Sequence, residues 1–274
     1  MDFDVPTIAI KLLAGLIIGA SIGLTGIGGG VLVLPTLTLL FGFPPTVAVG
    51  TANLYSFLCK LSATYFHLKQ KTIVFNTSGY FLAGAAPANL AVAIGLTWYA
   101  SLLQEDEVAW QALQKNLQQF IALVVIVSAL LVLWNLFSKP GSRAPGPKAD
   151  ADHQKTKKKK LVAILMGAVI GALIASTSVG GGILIVPMLI IIFGLTAVET
   201  VGSSIFIAVV LTLLSSLVYA GSSQLDLSTA IIMAAGSLVG VPIGARYSKR
   251  LPDRLLQLII TGIVCLAGGL MLWA

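Results

Sequence analysis

The sequence predicts an all-α polytopic membrane protein made of two inverted-topology repeats of about five helical segments each, with short or broken helices around two glycine triplets. Three observations carry this expectation. Hydrophobic residues make up 57% of the 274 and charged ones 10%, with a mean hydropathy of +0.97, where a water-soluble domain has about a quarter of its residues charged. Apolar runs of helix length recur from end to end, and FIALVVIVSALLVLW (120–134) lacks the apolar–polar alternation of a β-barrel strand. Third, a set of motifs returns after a fixed offset of 152 positions, including the triplets Gly28–Gly30 and Gly180–Gly182.

In chain order, the first repeat (1–138) reads as segments near 8–24, 31–43, 46–66, 74–97 and 117–137. The second (161–274) reads as segments near 161–176, 183–194, 198–219, 227–247 and 255–273. The chain starts MDFDVPTIAIKLL, with acids where a cleavable signal carries bases, so the first run reads as a retained helix. Within it, GLIIGASIG sets Gly15, Gly19 and Gly23 four apart on one face, a groove for a closely packed neighbour; Gly236, Gly240 and Gly244 repeat the spacing in the ninth segment. The second segment of each set falls short of the about 20 residues of an upright crossing, and the sequence leaves open whether it crosses or re-enters. Cys59 and Cys265 lie inside apolar segments and offer no disulfide framework. Between the repeats, KPGSRAPGPKADADHQKTKKKK (139–160) has almost nothing to bury and reads as a flexible linker.

Charge sets the orientation. Of the 17 basic residues, 14 fall in three connections: Lys69 and Lys71; the linker from Lys139 to Lys160; and Arg246, Lys249, Arg250 and Arg254. The other connections are acidic or nearly neutral, with Asp2 and Asp4, QEDE at 104–107, and Asp226. The positive-inside rule puts the basic connections, linker included, in the cytoplasm and both chain ends outside. The net charge of +7 is therefore explained by topology and contact with anionic lipid rather than by nucleic acid.

The repeat holds one register through several segments. Gly15 meets Gly167, Gly19 meets Gly171, Thr25 meets Thr177, Pro35 meets Pro187, VGTA (49–52) meets VGSS (201–204), and Gly84 meets Gly236. With an odd number of segments per repeat, the second copy is inserted upside down, and the charges agree: the connection at 67–73 is basic, while that at 220–226 carries only Asp226. Inverted repeats of this kind are a recurrent transporter architecture.

Three successive glycines are poor in a helix interior, and broken backbone at membrane depth must be buried or line a wet cavity. A short helix starting after each triplet, at Val31 and at Ile183, points its free N–H groups at the break, which favours an anion. The candidate substrate site is therefore Gly28, Gly29, Gly30, Gly180, Gly181 and Gly182, with Thr25, Thr51, Asn53, Thr177, Ser178, Ser203 and Ser204 as neutral donors. Tight interhelical turns with no ligand are the competing reading, and any of these hydroxyls can bond to its own helix. Lys60 either neutralises an anion or snorkels to the cytoplasmic face; His67 and Glu199 are candidates for proton coupling.

Enzyme readings fare poorly. There is no HExxH, paired-carboxylate metal motif, P-loop or nucleophile elbow, and GIGGG (26–30) lacks the Lys-Ser/Thr of a Walker motif. No cofactor or metal is expected. Nothing in the sequence fixes the oligomeric state, and a homodimer is compatible with it.

GLTGIGGGVLVLPTL (23–37) with VAVGTANLYSF (47–57) resembles the first half of the TauE/SafE sulfite exporter family, also called the 4-toluene sulfonate uptake permease family. STSVGGGILIVPML (176–189) with TVGSSIF (200–206) resembles its second half, and GSLVGVPIGARYSKRLPDRLLQ (236–257) is similar to its typical end. The resemblance implies an inner-membrane transporter of sulfur-containing anions such as sulfite, sulfoacetate or another organosulfonate, or thiosulfate. Gly28–Gly30 with Pro35, and Gly180–Gly182 with Pro187, match the family's two signature regions. Export by uniport down the inside-negative potential is the favoured direction; proton-coupled import and a gated anion channel are the alternatives.

Overall fold

The computed structural model describes residues 5–25, 30–137, 153–179, 184–248 and 253–273. The helices follow in the expected order: α1 Val5–Thr25, α2 Gly30–Pro35, α3 Pro45–Lys69, α4 Phe75–Leu102, α5 Glu107–Phe137, α6 His153–Thr177, α7 Ile185–Met188, α8 Ala197–Gly221, α9 Leu227–Ser248 and α10 Asp253–Trp273. Among the described residues, six helices, α1, α4, α5, α6, α8 and α9, are long and apolar enough to cross a membrane. Large side chains such as Ile17, Trp98 and Leu130 point outward from them, as a lipid-facing surface requires. The chain is a multi-pass α-helical membrane protein.

Three boundaries differ from expectation. α5 starts at Glu107 rather than near 117, because Asp106 caps it, its carboxylate accepting from the N–H groups of Val108 and Ala109 at 3.1 Å each. α4 runs on to Leu102, and α6 begins at His153, inside the stretch expected as linker. In each case a helix continues past the end of its apolar run.

α2 and α7 are the two short elements. Each contains a proline, Pro35 or Pro187, which has no N–H to donate. Directly after, each widens into a five-residue π-helix, Thr36–Leu40 and Leu189–Phe193. From Gly30 to Leu40 the chain rises only about 16 Å, half of a hydrocarbon core about 30 Å thick. Gly42 and Gly194, both at φ +65°, turn the chain out of these elements.

The long helices pack through backbone. α1 lies along α9, and α4 along α6; α3 crosses α8 and α5 packs against α10. A Cβ on Gly15 would strike the Met233 carbonyl, and one on Gly236 the Leu12 carbonyl. Gly19 is closed by Ser237, while Gly240 and Gly244 are closed by the carbonyls of Leu16 and Ala20. The two four-spaced glycine grooves of the sequence thus face each other. In the α4–α6 pair, Gly167 meets the Phe81 carbonyl, Gly171 meets Ala85, and Gly84 meets the Ile164 carbonyl. Adding 152 to Phe81, Ala85 and Gly84, and subtracting it from Gly167, Gly171 and Ile164, turns these contacts into the α1–α9 set.

Candidate functional site: two clasps and the polar face of α3

The ends of α3 and α8 hold each other. After α3, Lys71 takes a left-handed conformation at φ +54°, and Thr72 N–H donates to the His67 carbonyl at 3.2 Å. His67 Nδ1 lies 2.8 Å from Thr72 Oγ1. This knuckle seats on Gly202 of α8, where an added Cβ would come within 2.6 Å of Thr72 Oγ1 and 3.2 Å of His67 Nδ1. One residue on, Ser203 Oγ accepts from Val74 N–H at 3.0 Å.

The end of α8 repeats the arrangement on α3. Ser223 is left-handed at φ +56°, and Gln224 N–H donates to the Tyr219 carbonyl at 2.9 Å. This knuckle seats on Gly50, whose Cβ would meet the Gln224 carbonyl and come within 2.8 Å of Tyr219 Cβ. Thr51 Oγ1 accepts from Asp226 N–H at 2.9 Å. Every member is offset by 152 from its counterpart: Gly50 with Gly202, Thr51 with Ser203, His67 with Tyr219, Thr72 with Gln224, Val74 with Asp226. The repeated VG[TS] motif is therefore a pair of clasps, both closed.

The remaining sequence-predicted residues fall into three groups. Gly28, Gly29, Gly180, Gly181 and Gly182 lie outside the described residues; Gly30 opens α2 and Thr25 ends α1. Thr177 and Ser204 are tied to local backbone: Thr177 Oγ1 donates to the Leu173 carbonyl at 2.6 Å, and Ser204 Oγ to the Val201 carbonyl at 2.9 Å. Thr51 and Ser203 serve as acceptors in the clasps, which leaves each hydroxyl its own proton to donate. Glu199 belongs to a capping box with Thr196, whose N–H and hydroxyl reach Oε2 at 3.0 and 2.7 Å.

Asn53 and Ser178 stand out. Asn53 Nδ2 donates to the Val49 carbonyl at 3.0 Å, but among the described residues Oδ1 has no partner, and neither has Ser178 Oγ; both residues are buried. Ser56, three positions after Asn53, is likewise buried with an unpartnered hydroxyl. Asn53, Ser56 and Lys60 recur at helical spacing and share one face of α3, which continues to the buried Thr64 and to His67. Buried polar atoms are nearly always paired, so this stripe is unusual. The α8 residues at the same register, Ile205, Ala208 and Thr212, contain one hydroxyl, and it donates to the Ala208 carbonyl at 2.7 Å.

Ser56 and the knuckle residues Thr72, Tyr219 and Gln224 were missed by sequence reasoning. The helical spacing from Asn53 was the available signal for Ser56.

The model of the family described as sulfite exporter TauE/SafE matches residues 11–271. The chain belongs to that family. Among relatives, it is 33% identical over 264 residues to the probable membrane transporter protein YjnA of Bacillus subtilis (strain 168), covering 94% of this chain and 96% of the relative. YunE of the same organism, also a probable membrane transporter protein, is 25% identical over 94% of this chain and 95% of its own length. A probable membrane transporter protein of Xylella fastidiosa (strain 9a5c) is 28% identical over 94% of each chain. No solved structure matches. This TauE/SafE protein is a membrane transporter and not an enzyme.

Proposed function

We propose that this TauE/SafE transporter carries a small sulfur-containing oxyanion, such as sulfite, sulfoacetate or another organosulfonate, or thiosulfate, across the inner membrane by alternating access, with export favoured. The observation that carries the mechanism is the pair of clasps. They join the same two helices at opposite ends, and both are closed at once, as in an occluded carrier. Releasing either one opens the bundle to one side only.

The two clasps and the exchanged glycine contacts support two five-element repeats related by an axis in the membrane plane. In this arrangement the His67–Thr72–Ser203 clasp is cytoplasmic, beside Lys69 and Lys71, and the Tyr219–Gln224–Thr51 clasp is outside. Both chain ends are then outside and residues 139–160 cytoplasmic, next to anionic lipid. The substrate site is assigned to Thr25, Gly28–Gly30, Thr51, Asn53, Thr177, Ser178, Gly180–Gly182, Ser203 and Ser204. Lys60, His67 and Glu199 are assigned to charge compensation or coupling.

Two measurements test this reading. Single cysteines at Lys71 and Ser223, both exposed, are expected to react with an impermeant reagent from opposite sides; labelling from one side would end the inverted arrangement. Purified protein in liposomes is expected to take up labelled sulfite, sulfoacetate or thiosulfate with saturation and counterflow. Dissipation without counterflow would identify an anion channel, and a reversal potential tracking pH would identify proton coupling.

A further inference from the structure

The polar stripe of α3 carries a charge, the half-buried Lys60, that no carboxylate among the described residues answers. Lys60 lies nine residues before the end of α3, so its Cα is about 13 Å up the helix from Lys69. Among the described residues no carboxylate pairs with it; the preceding residue, Cys59, has its thiol 2.8 Å from Ser237 Oγ on α9. Asp226 is committed to the cap of α9, its Oδ1 accepting from Ser228 Oγ and Thr229 N–H at 2.7 Å each. Glu199 is committed to the cap of α8. On the side of Lys60 toward the middle of α3 stand the unpartnered atoms Ser56 Oγ and Asn53 Oδ1. Position 212, the counterpart of Lys60, is a threonine already bonded to its own helix. The charge is thus built into one repeat only.

We infer that this protein works as an anion exchanger: the anion docks on the Asn53–Ser56–Lys60 face of α3, and Lys60 makes the empty carrier reluctant to reorient. The inference rests on the carrier reading above. An unpaired charge away from water is costly, and pairing it relieves much of that cost. A bound monoanion turns the Lys60 site into a neutral pair, while the empty carrier must pass through the doubly clasped state with a bare cation. Loaded carriers therefore cross more readily than empty ones, and one anion enters fastest when another leaves. Ser56 donates its hydroxyl to the anion. Asn53 Oδ1, an acceptor, favours an anion that keeps a proton or hydroxyl of its own.

The test uses full-length protein in liposomes with chloride-free gluconate buffer, and labelled sulfite and labelled methanesulfonate as probes. Uptake into vesicles loaded with the same unlabelled anion is expected to exceed uptake into vesicles without it by at least about tenfold, the cost of carrying the bare charge. Lys60→Met is expected to bring that ratio near one, and Lys60→Arg to preserve it. In the wild type, uptake without exchange is expected to vary with membrane potential, while exchange does not. Saturable entry at equal rates into loaded and unloaded vesicles overturns the inference, as does a Lys60→Met protein that keeps the tenfold ratio. The potential dependence decides the matter if Lys60→Met fails to fold. Absence of saturable entry for both probes instead counts against the carrier reading itself.

Discussion

Removing the hydroxyl of each clasp is expected to open the transporter toward opposite sides. Ser203→Ala leaves Val74 N–H without its 3.0 Å acceptor, and Thr51→Val, nearly isosteric, does the same to Asp226 N–H at 2.9 Å. Losing the partner of such a half-buried donor costs about 0.5–1.5 kcal/mol, and the open states, where water reaches the N–H, do not bear that cost. The population open to the affected side should therefore rise by about 2- to 13-fold. The reporter is a cysteine replacing Ser56, which is 2% exposed, in a background lacking Cys59 and Cys265. With Ser203→Ala, its reaction with an impermeant thiol reagent should accelerate from the cytoplasmic side alone; with Thr51→Val, from the outside alone. Acceleration from the same side in both variants, or none in either, would refute the idea that these hydroxyls hold opposite gates.

Alanine at Gly15 should lower thermal stability in detergent by about 1–3 kcal/mol, because its methyl would strike the Met233 carbonyl. Alanine at Gly95 of α4, where an added Cβ meets nothing, should raise it by up to about 1 kcal/mol. Burial pushes the Asp226 carboxyl up, but bonds from Thr229 and Ser228 and the nearby Lys11 hold it below the usual carboxylate value. With the folded value depressed, its contribution is complete above the unfolded value of about 3.9. That contribution is lost as pH falls through the folded value. Asp226→Asn should keep the cap and abolish the acid-side loss in a pH series of melting curves, whereas Asp226→Ala should cost about 1 kcal/mol at neutral pH. Glu199→Gln retains capping-box chemistry, so the protein should fold, while its transport should lose pH dependence; a pH profile that matches the wild type would leave Glu199 as a cap of α8 and not a coupling residue.

The order of the elements was legible because each leaves a mark in composition: apolar runs for the helices, and glycine with proline for the two short elements. Their ends were less legible, since the first turns of α5, from Glu107, run through the amide-rich stretch WQALQKNLQQF (110–120), which hydropathy cannot distinguish from a loop. The motif VG[TS] was visible as a repeat, but its part in the clasps was not. A hydroxyl after a glycine looks like an anion donor, and only folding shows that the glycine seats a knuckle and the hydroxyl accepts a backbone N–H. Asn53 and Lys60 were visible singly as polar residues in an apolar run. What distinguishes them is a comparison between halves, because Ile205 and Thr212 occupy the same register without the same chemistry.

The glycine–carbonyl seams have a consequence for assembly. α1 belongs to the first half of the chain and α9 to the second; α6 belongs to the second and α4 to the first. Helices joined backbone to backbone through Gly15, Gly236, Gly84 and Gly167 leave no room for a side chain between them, so each closely packed pair draws one member from each half. The packing unit is therefore not the half-chain, and the two halves supplied as separate polypeptides should find each other and assemble.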